Sequence, residues 1–270
     1  MKATIIPLLA VSLGLTSCIN VNTEKGDISE IFSGKKGNGP ITDKTYDGNI
    51  NQIQVSTSID AEVLKSDTEK VVISAPSDIM EFIKVENSGG NLRIFVNSGF
   101  GRNISTQNVK AKIYVKDFTK IGADSSADIK VKDTFTQDKV EVYVSSSGSV
   151  EVTNLEANDF KIDINSSVDF SGKIWAVNLD ANVSSSGDVN IFGKAQNATL
   201  QSNSSGDLKA TELMIENANL DASSSGDITA SVTKNLTARA NSSGEITVFK
   251  KGNLATMNIQ KDSGGDVYVK

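Results

Sequence analysis

Residues 185–207, SSGDVNIFGKAQNATLQSNSSGD, begin and end with the same tetrad, Ser-Ser-Gly-Asp. The tetrad, with small changes, occurs eight times, and its third residue recurs every 18–21 residues. Repetition at this period is typical of a solenoid, in which each repeat forms one turn and packs on its neighbours. The copies are Ser125–Asp128, Ser146–Ser149, Ser166–Asp169, Ser185–Asp188, Ser204–Asp207, Ser224–Asp227, Ser242–Glu245 and Ser263–Asp266.

Apolar residues flank the tetrads with a period of two. Such alternation on both sides of a turn predicts strand, turn, strand, each strand burying one face. Aromatic residues make up only 6% of the chain, which indicates a narrow interior. Two residues after the third tetrad position stand Ile129, Val150, Phe170, Val189, Leu208, Ile228, Ile246 and Val267; six residues before it stand Ile121, Val142, Ile162, Ala181, Leu200, Leu220, Ala238 and Ile259.

Two all-β arrangements could use this pattern, an antiparallel meander or a coil with one repeat per rung. In a coil, equivalent residues lie one strand spacing apart, about 4.8 Å, so like stacks on like. The constant repeat length therefore favours a right-handed parallel β-helix with rungs of about 20 residues. We expect regular rungs over residues 121–270 and, over 41–120, irregular rungs that widen and cap one end. The last rung has no visible cap, which makes end-to-end homo-oligomers an expectation.

The first and third tetrad positions predict how the corner is built. Continued alternation through Val142 and Val144 would point the hydroxyl of Ser146 inward, as part of an internal serine ladder. The alternative is a row of serine nucleophiles, but the chain has no histidine to act as their base. Glycine at the third position suits a left-handed or bulged corner, although Ala127 and Val168 show that not every corner requires positive φ.

The fourth tetrad position is acidic in seven of the eight copies and should face solvent. Aligned carboxylates repel one another, so hydrogen bonds within the turn must offset that repulsion. Two alternatives are calcium bridging, since carboxylates supply hard oxygen ligands, and partner recognition. The chain lacks the denser Gly-Gly-x-Gly-x-Asp spacing of calcium-binding coils. This possible cation-binding or partner-binding column comprises Asp169, Asp188, Asp207, Asp227 and Asp266.

The N-terminus has the features of an exported lipoprotein. A lysine and an apolar run lead to Leu15-Thr16-Ser17-Cys18, which resembles the bacterial lipobox. The pattern predicts a signal peptide over residues 1–17, a lipidated Cys18 that anchors the chain in the membrane, and a flexible tether over 18–40. The alternative is a buried first strand or helix with an incidental thiol.

Composition excludes several functional classes. The chain has no histidine, which removes the commonest general base and zinc ligand. A net charge of −6 without a basic cluster argues against nucleic-acid binding. We therefore expect no enzymatic activity and no cofactor, calcium aside.

The lipobox, Gly37–Pro40, a strand opening near 50–55 and the stacked tetrads together resemble the auto-transporter adhesin "head GIN" domain proteins, which are widespread in Bacteroidetes. The resemblance covers roughly residues 40–270. It implies a β-helical fold and an envelope or surface location, and it offers no catalytic residues to carry over. Ile19–Asn22 follow Cys18 where several surface lipoproteins of that group carry acidic residues, so a periplasm-facing anchor stays an alternative to the outer membrane or cell surface.

The leading functional hypothesis is a non-enzymatic envelope or surface module, an adhesin that binds glycan or a protein partner. One alternative is a polysaccharide-processing enzyme, which would need an acid–base pair or calcium with a basic residue. The scarcity of arginine (Arg93, Arg102 and Arg239) and the even spacing of the acidic residues disfavour it. The other alternative is a structural spacer or envelope-stress component.

Overall fold

The computed structural model describes residues 35–99 and 103–270, and these residues form a parallel β-solenoid. The prediction of a parallel β-helix is confirmed. The only helical element in the described ranges is a 3₁₀ turn at Met80–Phe82. The strands are β1 Lys35–Lys36, β2 Ile41–Asp47, β3 Gln52–Val55, β4 Asp60–Lys65, β5 Lys70–Pro76, β6 Ile83–Ser88, β7 Asn91–Val96, β8 Ile104–Ser105, β9 Lys110–Val115, β10 Lys120–Ala123, β11 Asp128–Ser145, β12 Ser149–Asn165, β13 Asp169–Val183, β14 Asp188–Asn203, β15 Asp207–Ser223, β16 Asp227–Ala240, β17 Glu245–Lys250, β18 Thr256–Lys261 and β19 Asp266–Val269.

Strands β11 to β16 each wind around most of one turn and pair in parallel with the next. In β12, outward residues come in consecutive pairs at Thr153-Asn154 and Asn158-Asp159, in addition to the tetrad corner. Three bends per turn give a three-sided cross-section. We call the sides face A (149–152 in β12), face B (155–157) and face C (160–164), and apply the same names to the residues in register with them.

The interior is a continuous core of branched aliphatic residues and alanine. Residues in register occupy the same core column, as in the series Ile129, Val150, Phe170, Val189, Leu208 and Ile228, all of which are buried. Four phenylalanines are fully buried, at Phe118, Phe135, Phe160 and Phe170. This core accounts for the narrow interior that the composition indicates.

At the N-terminal end the rungs do not stack in chain order. The β3–β4 rung lies between the β7–β9 rung, which comes later in the chain, and the β10–β11 rung. Strands β2, β5 and β6 run antiparallel to their neighbours and lie along this end. The irregular half of the chain therefore folds back over its first rung before the regular coil begins.

The tetrad corner is a tight turn in which six of the eight copies have two consecutive residues in the left-handed region, and the copies at Ser166 and Ser185 have one. At one corner Ser146 has φ 54° and Ser147 has φ 68°, and the amide of Gly148 donates to the carbonyl of Ser145 at 3.2 Å. Two central residues of positive φ and an i to i+3 hydrogen bond are the features of a type I′ turn. The serines of the other corners with positive φ are Ser125, Ser126, Ser166, Ser185, Ser204, Ser205, Ser224, Ser225, Ser242, Ser243 and Ser263.

Two sequence-based expectations about this corner are wrong. The hydroxyl of Ser146 does not point inward, because both tetrad serines are exposed and the third residue is the buried one. The third glycine is not there for positive φ, since Gly226 has none. It is there for space: a Cβ at Gly226 would lie 2.5 Å from the carbonyl oxygen of Ser202 in the preceding turn.

A ninth copy of the corner lies in the β3–β4 rung. Thr57 and Ser58 have φ 60° and 53°, Ile59 is fully buried, and Asp60 pairs in register with Asp128. The sequence does not show this copy because it has neither Ser-Ser nor glycine.

Candidate binding groove

A ladder of asparagine side chains runs along the bend between faces B and C. The amide of Asn235 donates to Asn217 at 2.7 Å, Asn217 donates to Asn197 at 2.9 Å, and Asn197 donates to Asn178 at 3.0 Å. Asn178 donates to the carboxylate of Asp159 at 2.9 Å. The ladder therefore ends on a group that can only accept.

The parallel register produces this ladder. Lys139, Asp159, Asn178, Asn197, Asn217, Asn235 and Thr256 are paired in sequence from β11 to β18. Each stands nine residues before the third position of the following tetrad. Sequence reasoning missed this column, although the constant offset could have shown it.

The ladder borders a groove of about 840 Å³ that crosses the rungs. Six residues of this column line it, from Lys139 to Asn235, and the five strand spacings between them make it about 24 Å long. The outward residues of face C form its other side, and the tops of core residues contribute to its lining. It is lined by Lys139, Asp159, Phe160, Lys161, Asn178, Leu179, Asp180, Asn197, Ala198, Thr199, Gln201, Asn217, Ala218, Asn219, Asn235 and Thr237.

The groove carries no net charge. Its lining holds two lysines, Lys139 and Lys161, and two aspartates, Asp159 and Asp180. The Lys161 ammonium lies 2.7 Å from a carboxylate oxygen of Asp163. That hydrogen bond, and then the charge of Asp163, raise the pKa of Lys161. The remaining lining residues are neutral amides, threonines and apolar groups, so the groove suits a neutral ligand.

The ladder leaves hydrogen-bonding capacity free along the groove. An asparagine amide has two N–H donors and two acceptor sites on its oxygen. Asn178 and Asn197 each use one donor and one acceptor site within the ladder, and both side chains are exposed. Paired donors and acceptors repeated at each rung are what a row of hydroxyl groups would satisfy.

The acidic column predicted from the tetrad lies elsewhere, on face A. Asp169, Asp188, Asp207, Asp227 and, one rung beyond Glu245, Asp266 are stacked in register. Lys209 lies 2.8 Å from Asp207 and Lys261 lies 3.6 Å from Asp266. Burial, and then the charges of Glu245 and Asp207, raise the pKa of Asp227.

Nothing in the described ranges brings this column together as a metal centre. Across residues 35–99 and 103–270, no group of three or more acidic, cysteine or histidine side chains could hold a metal ion. Cation or partner binding by the column stays a prediction. Cys18 and the leader lie outside the described residues. Over the described ranges, no helix is long and apolar enough to cross a membrane.

Crystal structures with the same architecture come from Parabacteroides. A "putative adhesin" from Parabacteroides distasonis is 18% identical and has a TM-score of 0.76, covering 84% of this chain and 98% of that one. A "putative lipid binding protein" from the same species is 20% identical, with a TM-score of 0.75 over 87% and 99%. A "putative adhesin" from Parabacteroides merdae is 18% identical, with a TM-score of 0.74 over 87% and 98%. At these identities the likeness shows the fold alone.

No curated protein matches the chain. A family model does, and it matches twice, over residues 49–170 and over residues 144–252. The two matches overlap within the regular rungs and together cover most of the solenoid. The chain therefore belongs to the family described as "Putative auto-transporter adhesin, head GIN domain".

Proposed function

We propose that this protein is a lipid-anchored, non-enzymatic adhesin of the cell envelope that binds an extended neutral glycan in the asparagine-ladder groove. The observation that carries the proposal is the ladder itself. It presents free amide donors and acceptors in register along a groove that carries no net charge. A chain of sugar rings, whose hydroxyls both donate and accept, matches this pattern better than an acidic or basic polymer does.

The envelope location is supported by the family and by the leader. Membership of a family described as adhesins favours a protein exposed at the cell surface or in the envelope. Cys18, at the end of the lipobox Leu15–Cys18, would supply the membrane anchor. The outer membrane or the cell surface is the favoured compartment.

The non-enzymatic assignment is supported by the adhesin description of the family and by the lack of histidine in the sequence. Glycoside hydrolysis generally needs two carboxyl groups that flank the scissile bond. The groove is lined by two, Asp159 and Asp180, and the first of these is the acceptor at the end of the ladder. The chain has no histidine that could replace either as acid or base.

A glycan array that includes neutral and acidic glycans tests the proposal directly. We expect binding to neutral, linear glycans and no shortening of the bound chains when the products are analysed. Replacing both Asn178 and Asn197 with alanine should weaken binding roughly tenfold or more, since each lost hydrogen bond contributes about 1 kcal/mol. Asn190→Ala, on face A, is the matched control and should leave binding unchanged.

Two outcomes would overturn the proposal. Binding that survives the double substitution would place the ligand outside the groove. Shorter glycan products that disappear in Asp159→Asn or Asp180→Asn would instead show a polysaccharide-processing enzyme.

A further inference from the structure

The C-terminal end of the coil exposes positions that are core positions in every earlier rung. Met257 pairs in register with Leu236, yet Met257 is 57% exposed and Leu236 only 1%. Val269 pairs with Val248, and their exposures are 36% and 0%. The core of the solenoid is therefore open at this end.

The backbone at this end is also unpaired. Within the described ranges, β18 pairs only with β16 and β19 only with β17. The outer edges of both strands thus present rows of free N–H and C=O groups, which readily pair with another strand. The opposite end differs, since antiparallel strands β2, β5 and β6 lie along it.

We propose that this end face binds the same end face of a second copy of the chain, to form a closed, two-fold symmetric dimer. A partner must offer free strand edges and an apolar core with the same three-sided outline. The N-terminal end of another copy offers no open apolar core, because β2, an exposed and mostly polar strand paired with β5, lies along it. The C-terminal end of another copy offers both, and an isologous contact closes after two subunits.

The sequence of the last rung fits such a dimer in one register. Let the two-fold axis pass beside Ser263 at the last tetrad corner, so that β18 of one copy runs antiparallel to β19 of the other. Met257 then lies opposite Val269 of the second copy, and Ile259 lies opposite its Val267. Inward residues thus meet inward residues, as the alternation of both strands requires.

Polar residues in the same register also match. Asn258 lies opposite Tyr268 of the second copy, and Gln260 lies opposite Asp266, so no like charges face each other. Lys261 occupies a core column, in register with Ala240, and lies opposite Gly265 of the second copy, which has no side chain. Its ammonium, already 3.6 Å from Asp266 of its own chain, can reach Asp266 of the second copy as well.

Site-directed crosslinking tests this dimer without any knowledge of the ligand. The full chain would carry Cys18→Ser, so that the introduced cysteine is the only thiol, together with Ser263→Cys. Across the two-fold axis the two copies of residue 263 should lie one strand spacing apart, about 5 Å, within the range of a disulfide. Mild oxidation should then give a crosslinked dimer on a non-reducing gel.

Ser242→Cys is the matched control, because Ser242 occupies the same exposed first position of the corner one rung earlier. Its two copies should lie about 14 Å apart, too far to bridge, so crosslinking should be at least about tenfold slower. Adding Met257→Glu to Ser263→Cys should abolish the crosslink without changing the circular dichroism spectrum, because Met257 is exposed in the single chain.

Three results would overturn the proposal. These are no crosslink through residue 263, equal rates at residues 263 and 242, or a crosslink that persists with Met257→Glu in a folded chain. None of these bears on glycan binding by the groove, which lies on face C and not on the end face.

Discussion

At the residue scale, the serines and the third residue of the tetrad corner have different roles. The exposed serines tolerate positive φ, a strained conformation for a residue with a Cβ, whereas the buried third residue needs room against the preceding turn. Glycine supplies that room where the turns approach most closely. The first three residues of the tetrad therefore build the corner.

We predict that Gly226→Ala destabilises the protein more than Gly148→Ala does. A Cβ at Gly226 would lie 2.5 Å from the backbone of Ser202, whereas at Gly148 the nearest atom, the carbonyl oxygen of Ala127, is 3.1 Å away. Overpacking of this kind typically costs about 1–3 kcal/mol. Thermal unfolding of the two variants measures the difference, and equal melting temperatures would refute the spatial explanation.

We also predict that Asp227→Asn stabilises the protein at neutral pH. The pKa of Asp227 is raised by burial and by Glu245 and Asp207, so the folded state binds the carboxyl proton more tightly than the unfolded state does. The ionised form is therefore unfavourable above the raised pKa, and the penalty disappears as the pH falls below the usual carboxyl range. Each stacked neighbour contributes at most about 0.9 kcal/mol in water.

Urea titrations at pH 7 and pH 3, at low and high salt, measure this effect. The gain from Asp227→Asn should be largest at pH 7 and low salt, because salt screens exposed charges. Asp169→Asn is the control, since Asp169 has one acidic neighbour, Asp188, and Ser149 on its other side. A gain at pH 3 as large as at pH 7 would contradict the electrostatic cause.

At the element scale, the strands were predictable and the direction of some side chains was not. Period-two alternation identified the strands on both sides of each tetrad. It failed at the corner, because two consecutive left-handed residues change which side the following residue faces, so Ser146 is exposed and Gly148 is buried.

The asparagine column was not predicted because its distance is constant only to the tetrad that follows it, and not to the tetrad that precedes it. From Asp159 to Asn235 the distance from the preceding third position varies between 9 and 11 residues, whereas the distance to the following one is always nine. The differences in rung length are thus confined to faces A and B, where the register shifts lie. Face C keeps its length, which is why the ladder and the groove can form there.

We predict that Asn197→Ala lowers the unfolding free energy by about 1 kcal/mol, since it removes two ladder hydrogen bonds that each contribute roughly 0.5–1.5 kcal/mol and are partly exposed. Its partners are Asn178 and Asn217. Asn190→Ala should change stability by less than about 0.5 kcal/mol, because no side-chain hydrogen bond of Asn190 is present in the described part of the chain. Denaturant unfolding compares the two, and equal effects would mean that the ladder does not stabilise the stack.

At the scale of the whole molecule, the period of the repeat predicts the solenoid, but the order of the first rungs could not be read from sequence. The β3–β4 rung packs between rungs formed later in the chain. Such an order depends on contacts between residues far apart in sequence, and no local pattern records it. The ninth corner at Thr57–Asp60 was not predicted for a related reason, because only its register with the other corners identifies it.

We predict that Cys18 attaches the whole molecule to the membrane. In Cys18→Ala the chain should lose incorporated fatty acid and move from the membrane fraction to a soluble fraction, because acyl chains contribute about 0.8 kcal/mol per buried methylene. Metabolic labelling with palmitate and cell fractionation measure this. A variant that stays in the membrane fraction without label would show a different mode of attachment.

We propose that the groove beside the asparagine ladder is the binding surface of the molecule. A crystal structure with a neutral oligosaccharide selected from the array tests it most directly. We predict sugar rings that lie across the rungs, with hydroxyls hydrogen-bonded to the side-chain amides of Asn178 and Asn197. An oligosaccharide bound instead at the tetrad corners, on face A or on face B would contradict the claim.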